Sequence, residues 1–162
     1  MRSLILLSIC AVAALAVACG GGDEPAPPPA DGGASSTPAE GANPLADALA
    51  KAAESGKNIL VEYYDSTCDT CKKMDQEVFE LESVADALGG VVYVRVTKGK
   101  DAKAFEQRFG SLPTPSFVVL SAKGEPQGKL LSGSLDEGNF LKLVDWAVAG
   151  EGTQPSLKIG SS

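Results

Sequence analysis

The chain has 162 residues, room for one ordinary domain and little more. Its 14 lysines and arginines stand against 21 aspartates and glutamates, a formal charge of -7. That balance argues against nucleic-acid binding, which needs a clustered basic surface. There is no histidine, so imidazole-based hydrolases and His-containing metal sites are excluded.

Apolar residues are concentrated at the start. Arg2 precedes a run over 4–17 in which Ser8 is the only polar residue. Fourteen residues is short of the roughly 20 that a membrane helix needs, but suits the apolar stretch of a signal peptide. The run ends at Ala16-Val17-Ala18-Cys19, which resembles the lipobox of bacterial lipoproteins, with Ala16 where leucine is usual. The resemblance implies a signal peptide over 1–18 and lipidation of Cys19. Ordinary cleavage near Ala18 is the competing reading. Residues 20–42 then hold six glycines, five prolines and no large apolar residue, so 19–42 reads as a lipidated cysteine followed by a disordered tether. Glycine-rich behaviour gives such a tether an end-to-end distance of roughly 25 Å.

The folded part, 43–150, opens on Asn43-Pro44, an N-cap followed by proline at the first helical position, and Gly56 is a plausible stop. Residues 58–64 (NILVEYY) read as a buried strand. Met74, Val78, Leu81, Val84 and Leu88 mark a helix over 69–88, interrupted near 79–81 and stopped by Gly89-Gly90. A strand over 91–96, a helix around 101–109 and a hairpin of 116–121 with 129–132 follow. The last helix, 135–149, ends at Gly150, and 151–162 reads as a flexible polar tail. The order predicts an α/β fold: a small mixed central sheet flanked by helices, with an N-terminal helix before the first strand.

Cys68-Asp69-Thr70-Cys71 falls where the first strand turns into the next helix. A spacing of three brings the two sulfurs within disulfide reach. The first cysteine sits at the helix N-terminus, where unpaired N–H groups favour a thiolate, and the second lies one turn inside. That asymmetry supplies an attacking and a resolving thiol. Cys10 leaves with the signal peptide and Cys19 takes lipid, so this pair stands alone in an exported, disulfide-permitting setting. Two cysteines without histidine fall short of the four ligands of a zinc site. A purely structural disulfide would close a tiny loop and restrain the unfolded chain little.

Residues 43–149 resemble the thioredoxin superfamily, through KNILVEYYDSTCDTCKKMDQEVF and FGSLPTPSFVVL. The resemblance implies the thioredoxin-like fold, with Cys68 as nucleophile and Cys71 as resolving thiol. It makes Pro115 the cis-proline facing the cysteines, with Thr114 backbone groups available to a substrate peptide. It also places Glu62, six residues before Cys68, where the family keeps a buried acid for proton transfer at the resolving thiol. An outward-facing Glu62 in water is the alternative. The chain departs from the family at Thr67, where tryptophan is usual, and at Thr70, where proline is usual. Asp69 opposes a Cys68 thiolate, while Lys72 and Lys73 favour it.

These readings lead to a membrane-anchored, extracytoplasmic thiol–disulfide oxidoreductase, leaning toward the reductase direction and using neither metal nor cofactor. Its partners are protein thiols or disulfides and an upstream thiol donor or acceptor. Its place is the periplasmic face of the envelope, at the outer membrane if the cell is Gram-negative, since Gly20 rather than aspartate follows Cys19. The alternative is a non-catalytic binding or assembly lipoprotein on the same scaffold. Copper delivery is weakened by the missing histidine and by having only two methionines, Met1 and Met74. Trp146, on the last helix, should report redox state poorly.

Overall fold

In the computed structural model residues 43–161 are described, so the signal segment 1–18, Cys19 and the tether 19–42 lie outside the described residues. Asn43 caps α1 (Pro44–Ser55) with its side chain, accepting from Ala46 N at 3.2 Å, and Gly56 closes the helix in a left-handed conformation. Then follow β1 (Ile59–Tyr64), α2 (Asp69–Met74), a π-helical turn (Asp75–Phe79), α3 (Glu82–Leu88), β2 (Val92–Thr97) and α4 (Lys103–Phe109). The chain ends in β3 (Ser116–Leu120), β4 (Pro126–Ser132) and α5 (Glu137–Ala149). In the π-helical turn Glu80 N–H reaches back five residues to Asp75 O. The interruption expected near 79–81 falls between that turn and α3.

The sheet order is β2-β1-β3-β4, with β1 parallel to β2 and antiparallel to β3, and β4 antiparallel to β3 at the edge. This is the expected mixed sheet. Strand alternation divides the core in two. Ile59, Val61, Tyr63, Val118 and Leu120 pack with Leu45, Ala48 and Ala52 of α1 and Phe105 of α4. On the other face Leu60, Phe117 and Val119 pack with Met74 of α2, Val84 of α3, and Phe140, Leu143 and Val144 of α5. The helices therefore cover both faces of the sheet.

Two regions differ by more than a residue or two from their reading in the sequence. β4 starts at Pro126, three residues before the expected 129, and an irregularity between Phe117 and Val119 shifts its pairing with β3. Residues 151–161, read from composition as a flexible tail, are held to the domain. Gln154 bonds both backbone groups of Lys129, Lys158 N–H donates to Asn139 Oδ1, and Gly160 N–H donates to Ser134 O. Leu157 packs against the core, while Ile159, the other large apolar residue of the stretch, stays exposed.

Candidate active site

The turn from β1 into α2 is built by short local bonds. Thr67 donates from both its N–H (2.8 Å) and its hydroxyl (2.7 Å) to Asp65 Oδ1, which holds the Asp65 carboxyl below the usual carboxylate range. Cys68 then takes the N-cap position with extended backbone, and its Sγ accepts the Cys71 N–H at 3.1 Å. Cys68 and Cys71 are joined as a disulfide with their Cα atoms 5.3 Å apart.

The two sulfurs have different surroundings. Cys71 is fully buried, whereas Cys68 is only partly so. Cys68 Sγ lies 3.4 Å from Thr114 O, and the Thr114–Pro115 bond is cis. The start of β3 thus meets the start of α2 at Cys68. Lys72 and Lys73, read in the sequence as favouring a thiolate, pair instead with Asp69 (3.6 Å) and Glu77 (3.8 Å) in exposed ion pairs. Their field on Cys68 is largely cancelled by their own partners and by water.

Glu62 is fully buried on the face of β1 that also carries Leu60, beneath α2 and the π-helical turn. Its Oε2 accepts from Arg95 Nε at 2.7 Å and from the Tyr93 hydroxyl, and its Oε1 has no partner. Burial pushes the Glu62 carboxyl above the usual carboxylate range, against the pull of Arg95 and Tyr93. The same burial, with the neighbouring carboxylate, keeps Tyr93 protonated well beyond a free tyrosine.

Arg95, Asp75 and Tyr93 are the site residues that the sequence reading missed. The parallel register of β1 and β2 puts Arg95 directly beside Glu62. Arg95 Nη2 also reaches Asp75 Oδ1 at 2.5 Å, and the guanidinium stacks 4.3 Å from the centre of the Tyr64 ring. Asp75 is four residues beyond Cys71, and its N–H donates to Cys71 O. Arg95 therefore ties the buried carboxylate to the helix turn that carries Cys71. Two signals could have shown this: the alternation of 92–97 (VYVRVT), which puts Tyr93 and Arg95 on one face, and the spacing of four from Cys71 to Asp75.

A family model described as a thioredoxin-like domain matches residues 45–147, more than half of the chain. The chain is 32% identical over 97 residues to thiol:disulfide interchange protein DsbD 2 of Pseudomonas aeruginosa, covering 57% of this chain and 16% of that protein. It is 27% identical over 121 residues to the chloroplastic thioredoxin-like protein HCF164 of Oryza sativa, covering 75% of this chain and 44% of that one. The chain thus spans less than half the length of either relative. Among solved structures, a thioredoxin from Thermus thermophilus superposes with a TM-score of 0.57 at 26% identity, covering 67% of this chain and 90% of that one. The C-terminal domain of Neisseria meningitidis DsbD in its reduced form matches the fold at 0.54 and 18% identity, covering 64% of this chain and 93% of that one.

Proposed function

The chain belongs to the thioredoxin-like domain family, with a CxxC pair of the thiol–disulfide oxidoreductase type, and from that premise we propose that it reduces disulfides of protein partners at the bacterial cell envelope. The observation that carries this reading is the unequal burial of the two sulfurs. Cys68 is accessible beside Thr114 and Pro115, and Cys71 is closed in behind it.

In the reduced protein the Cys68 thiolate attacks one sulfur of a partner disulfide. That S–S bond breaks, a mixed disulfide forms, and the departing thiolate takes a proton. Cys71 gives its proton toward the Glu62 carboxylate, and its thiolate then attacks Cys68 Sγ. The intramolecular disulfide forms and the partner leaves as a dithiol, so two electrons have passed from this chain to the partner. An upstream thiol donor must restore the pair. Thr114 offers backbone groups to an extended substrate, beside Pro115. The signal peptide 1–18, lipidation at Cys19 and the tether 19–42 would hold the domain on the periplasmic face, at the outer membrane in a Gram-negative cell. The interchange proteins among the relatives support the chemistry, and the 4–19 segment of the sequence supports the anchor.

The test is Cys71→Ser in the full chain. Mixed disulfides with partner proteins should accumulate on non-reducing gels, and Cys68→Ser should abolish them. Titration in graded thiol buffers should give a reversible midpoint near about −270 mV for a reductant, whereas one near about −120 mV would reverse the direction. No adducts and no reversible cycling would leave a non-catalytic binding module. Cys19→Ala should release the chain from the membrane fraction, and retention there would refute the anchor.

A further inference from the structure

β4 is the edge strand of the sheet, and the chain's own C-terminal segment ties to it at Lys129. The Gln154 side-chain amide accepts from Lys129 N–H at 2.7 Å and donates to Lys129 O at 2.9 Å. Further along, Lys158 N–H and Gly160 N–H, two residues apart, donate to Asn139 Oδ1 (3.2 Å) and Ser134 O (2.8 Å). Backbone donors on alternate residues are what an extended chain presents along a strip of acceptors. These bonds use backbone groups and two amide side chains, Gln154 on the tail and Asn139 beneath it, so the strip makes few demands on the sequence of what lies on it.

The strip leads to the cysteines. Gly133 N–H donates to Pro115 O at 2.8 Å, and the neighbouring Thr114 O lies 3.4 Å from Cys68 Sγ. Gly133 is buried, with φ at 115°, and Ile159 and Gly160 fill the space where a side chain there would stand. Between this segment and α2 runs a cleft of about 410 Å³. Thr70 and Lys73 line its helix side, and Ile159 and Gly160 its far side. The cleft thus joins the tail's seat to the active-site turn.

We propose that the strip under residues 152–160 is a docking surface for an extended segment of the partner polypeptide, and that the C-terminal segment fills it in cis until a partner displaces it. This rests on the exchange reading above, which supplies a reason for a polypeptide to approach Cys68 beside Pro115. The seated tail is itself the demonstration that an extended chain fits. The competing role is simple cover for an edge strand.

The test compares the full chain with its Gln154→Ala/Gly160→Pro variant and with a chain ending at Glu151. Proline removes the amide that bonds Ser134, and the double variant loses three of the tail's hydrogen bonds. Two rates are measured, reduction of insulin disulfides and reduction of a small aromatic disulfide, together with binding of carboxymethylated insulin B chain followed by Trp146 fluorescence. The ratio of protein to small-molecule rates should rise about tenfold, and B-chain binding should tighten by a similar factor, as the self-occupied fraction falls. An unchanged or lower ratio with unchanged binding in both variants would overturn the proposal and leave edge cover. Tighter B-chain binding without disulfide turnover in any form would sustain the docking surface and refute the exchange chemistry instead.

Discussion

Replacing Arg95 by methionine isolates what holds the buried carboxylate. Glu62 is fully buried, and among the described residues its only hydrogen-bond partners are Arg95 and Tyr93. Without the guanidinium an ionised Glu62 would be a buried charge held by one phenol. Removing one partner of a buried pair costs about 3–5 kcal/mol. Because the Arg95 side chain is 31% exposed, water already screens it, and the low end, about 3 kcal/mol, applies. The variant can escape that cost by protonating Glu62. Burial holds this carboxyl above its unfolded value, so the folded chain binds more protons than the unfolded chain between the two values. Stability is then fully present below the unfolded value and falls as pH rises through the folded one, by up to about 1.4 kcal/mol per unit. Loss of Arg95 removes the principal pull downward and extends that window upward. Urea unfolding of the oxidised chains from about pH 4 to about pH 8 should show the gap between wild type and Arg95→Met smallest in acid and widening to about 3 kcal/mol by neutrality. A gap that stays constant with pH would mean that Arg95 acts through packing on Tyr64 and Phe79, and the electrostatic account would fail.

Phe140 is fully buried and meets Phe79 and Phe117 edge-on, with ring centres 5.0 and 5.8 Å apart. Phe140→Ala should cost about 3–5 kcal/mol in urea unfolding, and a loss below about 1 kcal/mol would show that the cavity collapses. Glu62→Gln keeps the shape but takes no proton, so decay of a mixed disulfide formed at Cys68 should slow at least about tenfold near neutral pH. Rapid-quench gels measure this, and an unchanged decay would remove Glu62 from the mechanism. Trp146 donates to Gly152 O and its ring borders Gly128, so reduction of the disulfide should leave its emission nearly unchanged. A large change would couple the cysteines to the far end of β4.

The fold was legible because each local signal agreed with its neighbours. Asn43-Pro44 and Gly56 mark the two ends of α1, and 59–63, apolar but for Glu62, is buried throughout as the β1 residues of a central strand must be. The CxxC pair and Pro115 were legible because short spacing and residue types with few alternative uses mark them. The tail was not. Its polar composition hides an apolar anchor, Leu157, and its hydrogen-bonded ties are one glutamine side chain and backbone donors, which carry little sequence signature.

The Glu62 surroundings show where reading by motif stops. Placing a carboxylate in an apolar strand is a local fact, but its energy depends on a cation contributed by the neighbouring strand, which only register can supply. Arg95 is alone among the β2 residues in carrying charge, and a lone charge in a strand is as consistent with a solvated edge as with a buried partner. What decides between them is that Glu62 and Asp75 converge on it from β1 and from the turn after α2. A single guanidinium is held at once by a fully buried and a partly exposed carboxylate, which links Glu62 to the turn after α2. Glu62 and the turn that carries Cys71 are thereby tied through one guanidinium, so a substitution at Arg95 should disturb stability and, on the proposed mechanism, disulfide resolution together.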